Sequence, residues 1–313
     1  MMFEDRGYLS NGSLCLTYYG AHLFDAGSGA LLWKREQAVP IGLSADAVWA
    51  YEPYQGDQYA GYYGDKVVLL DLASGRPKHE FTARGVLGFS SQPIGASTTL
   101  AVRTSDALWL LNADGSEKEL AQAKCVCQCE LAITPSGIVC VEYPDNPMPP
   151  GSRPPGTSAA PQALIRLLDA TTGKDKWRAQ KSHTWDVNGR PGVLRANERY
   201  VVLIKYPGIT VFDLASGKEL YDSPQTAIIM GPQWIALDGE NLYWTGFSAQ
   251  GMETGLERFN VAAGMHERLP SRLGMRLVDG AVVDRRLLLL GARESFLTGG
   301  MNAVDYVVSM PLP

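Results

Sequence analysis

The chain has little of what most site chemistries need. Histidine occurs four times in 313 residues and cysteine five times. Charged residues make up only 19% of it, and their balance is acidic, with a formal net charge of -5. Nucleic-acid binding by phosphate neutralisation calls for a basic face. None is visible, and anionic membrane surfaces are disfavoured on the same ground. Long apolar runs are missing too, since nothing approaches the roughly 18 residues of a spanning helix. The start, MMFEDRGYLSNGSL, carries acidic residues where a secretory leader needs basic ones. No nucleic acid, no membrane and a cytoplasmic location are the resulting expectations.

Whole motifs are absent as well. There is no GxSxG elbow, no HExxH, no GxxxxGK[ST] and no GxGxxG. Five cysteines, three of them bunched at Cys125, Cys127 and Cys129 in KCVCQCE, do not make a secreted disulfide framework and suit a reducing compartment. On a straight strand, positions two apart lie roughly 6.7 Å apart, awkward for one tetrahedral metal or for a disulfide. Small buried hydrophobic cysteines are expected there and no metal. Helical periodicity is also scarce, whereas hydrophobic residues at 45% supply ample core.

What the chain does have is a repeated phrase. VFDLASGKEL (Val211 to Leu220) returns as LLDLASGRPK (Leu69 to Lys78), LLDATTGKDK (Leu167 to Lys176) and LFDAGSGALL (Leu23 to Leu32). Each copy is an apolar strand, Asp, small residues, Ser or Thr, Gly, and a second strand. Asp bonds its own backbone ahead, and Gly takes the positive φ that closes the turn. With the Asp, or an Asn in its place, as ruler, the copies fall at Asp25, Asp71, Asn112, Asp169, Asp213 and Asn260. A degenerate seventh occupies the tail, with strands at 286–290 and 303–310. Repeats of about 45 residues with four strands each are the mark of propeller blades. The expectation is one all-β domain over 1–313, a seven-bladed β-propeller of four-stranded antiparallel blades. Its last blade ends on a third strand, so Met1 to Glu4 or their neighbours are expected to supply the missing outer strand and remove an open edge.

LLDATTGKDKW and LFDAGSGALLW, each with Trp eight positions after the Asp, resemble the repeats of the pyrroloquinoline-quinone-like β-propellers. The resemblance implies that Trp33 and Trp177 dock one blade on the next. His79 and Tyr221 hold that place in two other copies. Quinone-dependent members of that family place an adjacent cysteine pair at the cofactor, and this chain has no Cys-Cys dipeptide, so no cofactor is expected. The family's envelope-assembly lipoproteins carry a signal and a lipidated Cys, which are also lacking here.

With strands A to D counted outward, the Asp turn joins C to D. The B–C and D–A connections share the opposite end. Length is concentrated in four B–C connections: PYQGDQYAGYYGD (Pro53 to Asp65), the Pro-rich insertion at 144–162, GFSAQGMETG (Gly246 to Gly255) and GARESFLTGGMN (Gly291 to Asn302). Connections on a rigid scaffold carry function. Tyr54, Tyr59, Tyr62 and Tyr63, followed by Phe247, Met252, Arg293 and Phe296, supply amphipathic anchors favoured at protein interfaces. His183 and Trp185, in a D–A connection of the same face, complete the expected partner-binding set. His22, His79 and His266 fall on C or D strands, where a structural role is expected. No catalytic residue is assigned. The expectation is a non-enzymatic binder of a protein partner, one version being an immunity protein that covers a bacterial toxin. A lactonase- or lyase-type enzyme, or a sensor of a small ligand or glycan, with its site at the channel mouth, stays open as the alternative.

Overall fold

The computed structural model describes residues 7–10, 13–17, 21–25, 30–36, 38–44, 46–52, 66–82, 86, 88–91, 98–104, 107–120, 129–142, 162–182, 194–205, 208–222, 235–247, 253–269, 276–283, 286–292 and 306–311. They contain strands and turns and no helix. The chain divides into two compact units, Met1–Lys124 and Cys125–Pro313.

Unit one holds three consecutive four-stranded antiparallel meanders. Sheet 1 runs β1 (Gly7–Ser10), β2 (Ser13–Thr17), β3 (Ala21–Asp25) and β4 (Leu31–Arg35). Sheet 2 runs β5 (Val39–Leu43), β6 (Ala47–Glu52), β7 (Lys66–Asp71) and β8 (Pro77–Glu80). Sheet 3 runs β9 (Gly88–Ser91), β10 (Thr99–Arg103), β11 (Leu108–Asn112) and β12 (Glu117–Leu120).

Unit two continues the series. Sheet 4 is β13 (Cys129–Thr134), β14 (Gly137–Glu142), β15 (Gln162–Leu168) and β16 (Asp175–Ser182). Sheet 5 is β17 (Leu194–Ala196), β18 (Tyr200–Lys205), β19 (Gly208–Asp213) and β20 (Glu219–Asp222). Sheet 6 is β21 (Ile235–Asp238), β22 (Asn241–Phe247), β23 (Glu253–Asn260) and β24 (Met265–Arg268). Sheet 7 has three described strands, β25 (Arg276–Val283), β26 (Arg286–Ala292) and β27 (Tyr306–Pro311). Residues 1–6, expected to complete it, lie outside the described residues.

The core lies between successive sheets, and the period of two along a strand divides it. In sheet 2, Val48, Ala50, Val68 and Leu70 pack toward sheet 1 with Ala21 and Leu23. Their neighbours Trp49, Tyr51, Val67 and Leu69 pack the other way, with Leu100, Val102 and Leu111 of sheet 3. Middle strands are therefore buried on both faces, which is why KVVLLD and TLAVR read as apolar runs rather than as alternation. Outer strands keep one wet side, as in LLWKR.

The turn phrase is self-sufficient. Asp71 Oδ1 accepts from the Ser74 amide (2.8 Å) and hydroxyl (2.7 Å), while the Gly75 amide donates to the Asp71 carbonyl (2.8 Å). Asp169 with Thr172 and Asp213 with Ser216 repeat the pattern. Immediately after it the outer strand bulges by one residue, between Leu23/Phe24, Leu69/Leu70, Leu167/Leu168 and Val211/Phe212. The bulge aligns Trp33 with Leu23, His79 with Leu69, Trp177 with Leu167 and Tyr221 with Val211.

Those four side chains reach the next sheet, as the resemblance implied. The Trp33 indole N–H donates to the Leu72 carbonyl (2.8 Å), and the Trp177 indole to Leu214 (2.7 Å). Gly75 and Gly217, at φ 67° and 71°, lie so close that an added Cβ would sit 2.7 and 2.6 Å from the respective indole. His79 occupies the same slot beneath Gly115, and Tyr221 stacks on Phe259 with centroids 4.2 Å apart. The Asn copies differ from the ruler's expectation. Sheets 3 and 6 have no bulge there, so register places Lys118 opposite Leu110 and Glu267 opposite Arg258 in the Trp position.

Candidate partner-binding face

Each slot side chain sits just beyond its own Asp turn; Trp33, His79 and Trp177 touch the next sheet's turn, and Tyr221 meets Phe259 near the end of the next sheet's third strand. Within each unit, neighbouring sheets therefore point these turns the same way, and their B–C connections emerge at the opposite end. The structure locates all four lengthened segments between second and third strands: 53–65 between β6 and β7, 143–161 between β14 and β15, 248–252 between β22 and β23, and 293–305 between β26 and β27. Sheet 3 shows the contrast. There Thr104 and Ala107 close a short hairpin, the Thr104 amide donating to the Ala107 carbonyl (2.9 Å) and the Ala107 amide to Thr104 Oγ1 (3.2 Å).

The roots of the segment 53–65 are fixed on both sides. Tyr51, 8% exposed, packs toward sheet 3, its ring 5.8 Å from that of Phe89. Glu52, next along, faces sheet 1, where Arg35 Nη2 donates to its Oε1 (2.7 Å). Across the neck Glu52 and Lys66 are register partners, and their charged groups meet at 3.1 Å. Lys66 also reaches Glu80 on the outer strand (3.1 Å). Burial pushes the Glu52 carboxyl up, but the bonds from Arg35 and Lys66 outweigh it and hold the group below the ordinary carboxylate range. The bonds to Glu80 and Glu52 hold the Lys66 ammonium above its usual value.

Sheet 4 ties the strand end before its Pro-rich segment from deeper in the third strand. Glu142, the last described residue before it, accepts from Arg166 Nη1 (2.5 Å), and Arg166 Nε donates to Asp175 on the outer strand (2.7 Å). Burial works against the Arg166 charge, and the two carboxylates more than restore it. Ahead of the D–A segment 183–193, Lys181 bridges to Glu219 and Asp222 of sheet 5, both at 2.8 Å.

Of the expected partner-binding residues, Phe247 ends β22, with its backbone opposite Glu253 after a register shift. Tyr54, Tyr59, Tyr62, Tyr63, His183, Trp185, Met252, Arg293 and Phe296 lie outside the described residues. Cys129 opens β13, and Cys125 and Cys127 also lie outside them. His22 and His79 stand on β3 and β8. His266, on β24, bonds Glu257 (2.5 Å) and stacks on Trp244 with centroids 5.4 Å apart. Among the described residues no group of three His, Cys, Asp or Glu side chains is placed to hold a metal. The ionic roots Arg35, Glu52, Lys66, Glu142 and Arg166 were not among the sequence candidates. Glu52, Lys66 and Glu142 carry one sequence signal, a charge at a strand end beside an insertion, whereas Arg35, ahead of a D–A connection, and Arg166, inside β15, carry none.

No protein-family model matches the chain, and no curated protein matches it in sequence. Solved structures do. The computationally designed Ika8 protein superposes with a TM-score of 0.60 at 10% identity, covering 93% of this chain and 82% of that one. The β-propeller domain of Cps50 (Swd1) from Myceliophteria thermophila gives 0.59 at 14% identity, with 92% and 91% covered. BamB from Moraxella catarrhalis gives 0.55 at 13% identity, with 96% and 82% covered. These likenesses show the fold: the chain is an all-β protein of the β-propeller class.

Proposed function

We propose that this β-propeller is a non-enzymatic, cytoplasmic binding scaffold that holds a protein partner on the face of its long B–C connections. The carrying observation is where length goes: it is added between second and third strands, at the end of the sheets opposite the short Asp and Asn turns. A scaffold that keeps one end constant and elaborates the other concentrates its specificity there. In the full reading, residues 1–313 form a single seven-bladed ring of the pyrroloquinoline-quinone-like type without its cofactor, closed by the first residues beside β27. One form of the partner is a bacterial toxin, with this chain as its immunity protein.

The contact set is Tyr54, Tyr59, Tyr62 and Tyr63 with His183, Trp185, Phe247, Met252, Arg293 and Phe296. Rigid amphipathic rings give large contact area at low entropic cost. Affinity capture from lysate, with the intact chain beside a version carrying Tyr59→Ser, Tyr62→Ser and Tyr63→Ser, tests it. One protein retained by the first and lost by the second supports the scaffold. If neither retains a protein, the reading fails and small-molecule chemistry at the channel mouth replaces it. Ring closure has its own test: deletion of residues 1–5 lowers the melting temperature, and an unchanged melting curve refutes closure by the N-terminus.

A further inference from the structure

In two sheets with lengthened B–C connections the residue that ends the second strand is held by the same order of ionic groups. The last residue of the second strand is Glu, a cation on the third strand grips it, and an acid on the outer strand grips the cation: Glu52, Lys66 and Glu80 in sheet 2, Glu142, Arg166 and Asp175 in sheet 4. The positions within the register differ. Lys66 stands directly opposite Glu52, whereas Arg166 stands opposite Cys140, two residues from Glu142. The same acid–base–acid order is thus reached by two different side-chain routes.

A neutral hairpin such as Thr104–Ala107 closes with its own backbone. Where a longer segment follows, ionic groups among the described residues tie the strand ends. A cation held against the last residue of the second strand, across the neck in sheet 2 and from deeper in the third strand in sheet 4, and tied outward to a second acid, fixes that strand end. The cations are well sheltered, Arg166 being 13% exposed and Lys66 27%, so solvent screens the pairs only in part.

We infer that Glu52–Lys66–Glu80 and Glu142–Arg166–Asp175 are positioning triads, each setting the exit of its own B–C segment so that the partner-binding face is organised before the partner arrives. This rests on the scaffold reading for its purpose, but its physical content is local. Preorganised exits spare a binder the cost of ordering its loops during association.

The test is limited proteolysis of the full chain with proteinase K, cleavage mapped by mass spectrometry, in Glu52→Gln, Lys66→Met, Lys66→Arg and Glu142→Gln. Glu52→Gln and Lys66→Met raise initial cleavage within 53–65 by about three- to fivefold, the population change that losing a partly screened ion pair produces. Lys66→Arg, which keeps the pair, stays within about twofold of the wild type. Glu142→Gln acts on 143–161 alone, and cleavage within 293–305 is constant throughout. Unchanged cleavage in a variant's own segment overturns the inference. So does a rise shared equally by all three segments, which would report global loosening. Because no partner enters the assay, a positive result here with failed capture removes the scaffold reading and leaves the triads standing.

Discussion

At the scale of single residues, glycine and aspartate in the turn phrase do separable work. Gly75 and Gly217 meet two demands at once, a left-handed backbone and an indole face within van der Waals reach. Gly75→Ala and Gly217→Ala should each cost about 2 kcal/mol or more in urea unfolding. Gly264, at φ 65° with nothing within 4 Å of an added Cβ, faces the backbone demand alone. Gly264→Ala should cost only about 1 kcal/mol. The turn aspartates carry a pH signature. The Ser74 hydroxyl and amide hold the Asp71 carboxyl below the ordinary range, and Ser216 does the same for Asp213. A depressed acid contributes stability above its unfolded value and loses it as the pH falls through the folded one. Urea midpoints should hold steady down to about pH 4 and fall below it. In Asp71→Asn the fall should be shallower.

At the scale of elements, the outer strand is the seam-maker. Trp177→Phe, which keeps an aromatic ring but deletes the N–H that Leu214 accepts, should cost about 1 kcal/mol. Trp177→Ala should cost about 3 kcal/mol, read by chemical denaturation of the full chain. The strands and Asp turns were legible in the sequence because their chemistry is local: the bonds of the Asp71 carboxylate to Ser74 and of the Gly75 amide to the Asp71 carbonyl are made within five residues. The slot at Trp33, His79, Trp177 and Tyr221 was legible as a spacing. The bulge that aims it was not, since a register shift leaves no residue type behind. Asn112 and Asn260 looked equivalent to the aspartates, yet register there puts Lys118 and Glu267 at the position that Trp holds elsewhere. On the candidate face, insertion boundaries were readable and the triads were not. Glu142 and Arg166 lie 24 residues apart, and nothing in their neighbours reveals that one will find the other.

At the scale of the whole molecule, the acidic charge balance sets an expectation about nucleic acid. A net charge of -5 leaves no surplus of cations to displace the counterions of a duplex. In about 50 mM salt, gel-shift titration with duplex DNA should show no retarded band. The seams have a consequence for how such a chain comes into being. Sheet 2 holds both halves of a joint, the Gly75 socket that Trp33 fills and the His79 plug that fills the socket at Gly115. A tandem duplication of such a copy between two others would therefore create two working joints from parts already present, with no residue needing to change. Drift can then act on the inserted B–C segments while the joints stay constant, so lineages of this chain should vary fastest in the segments that the triads hold.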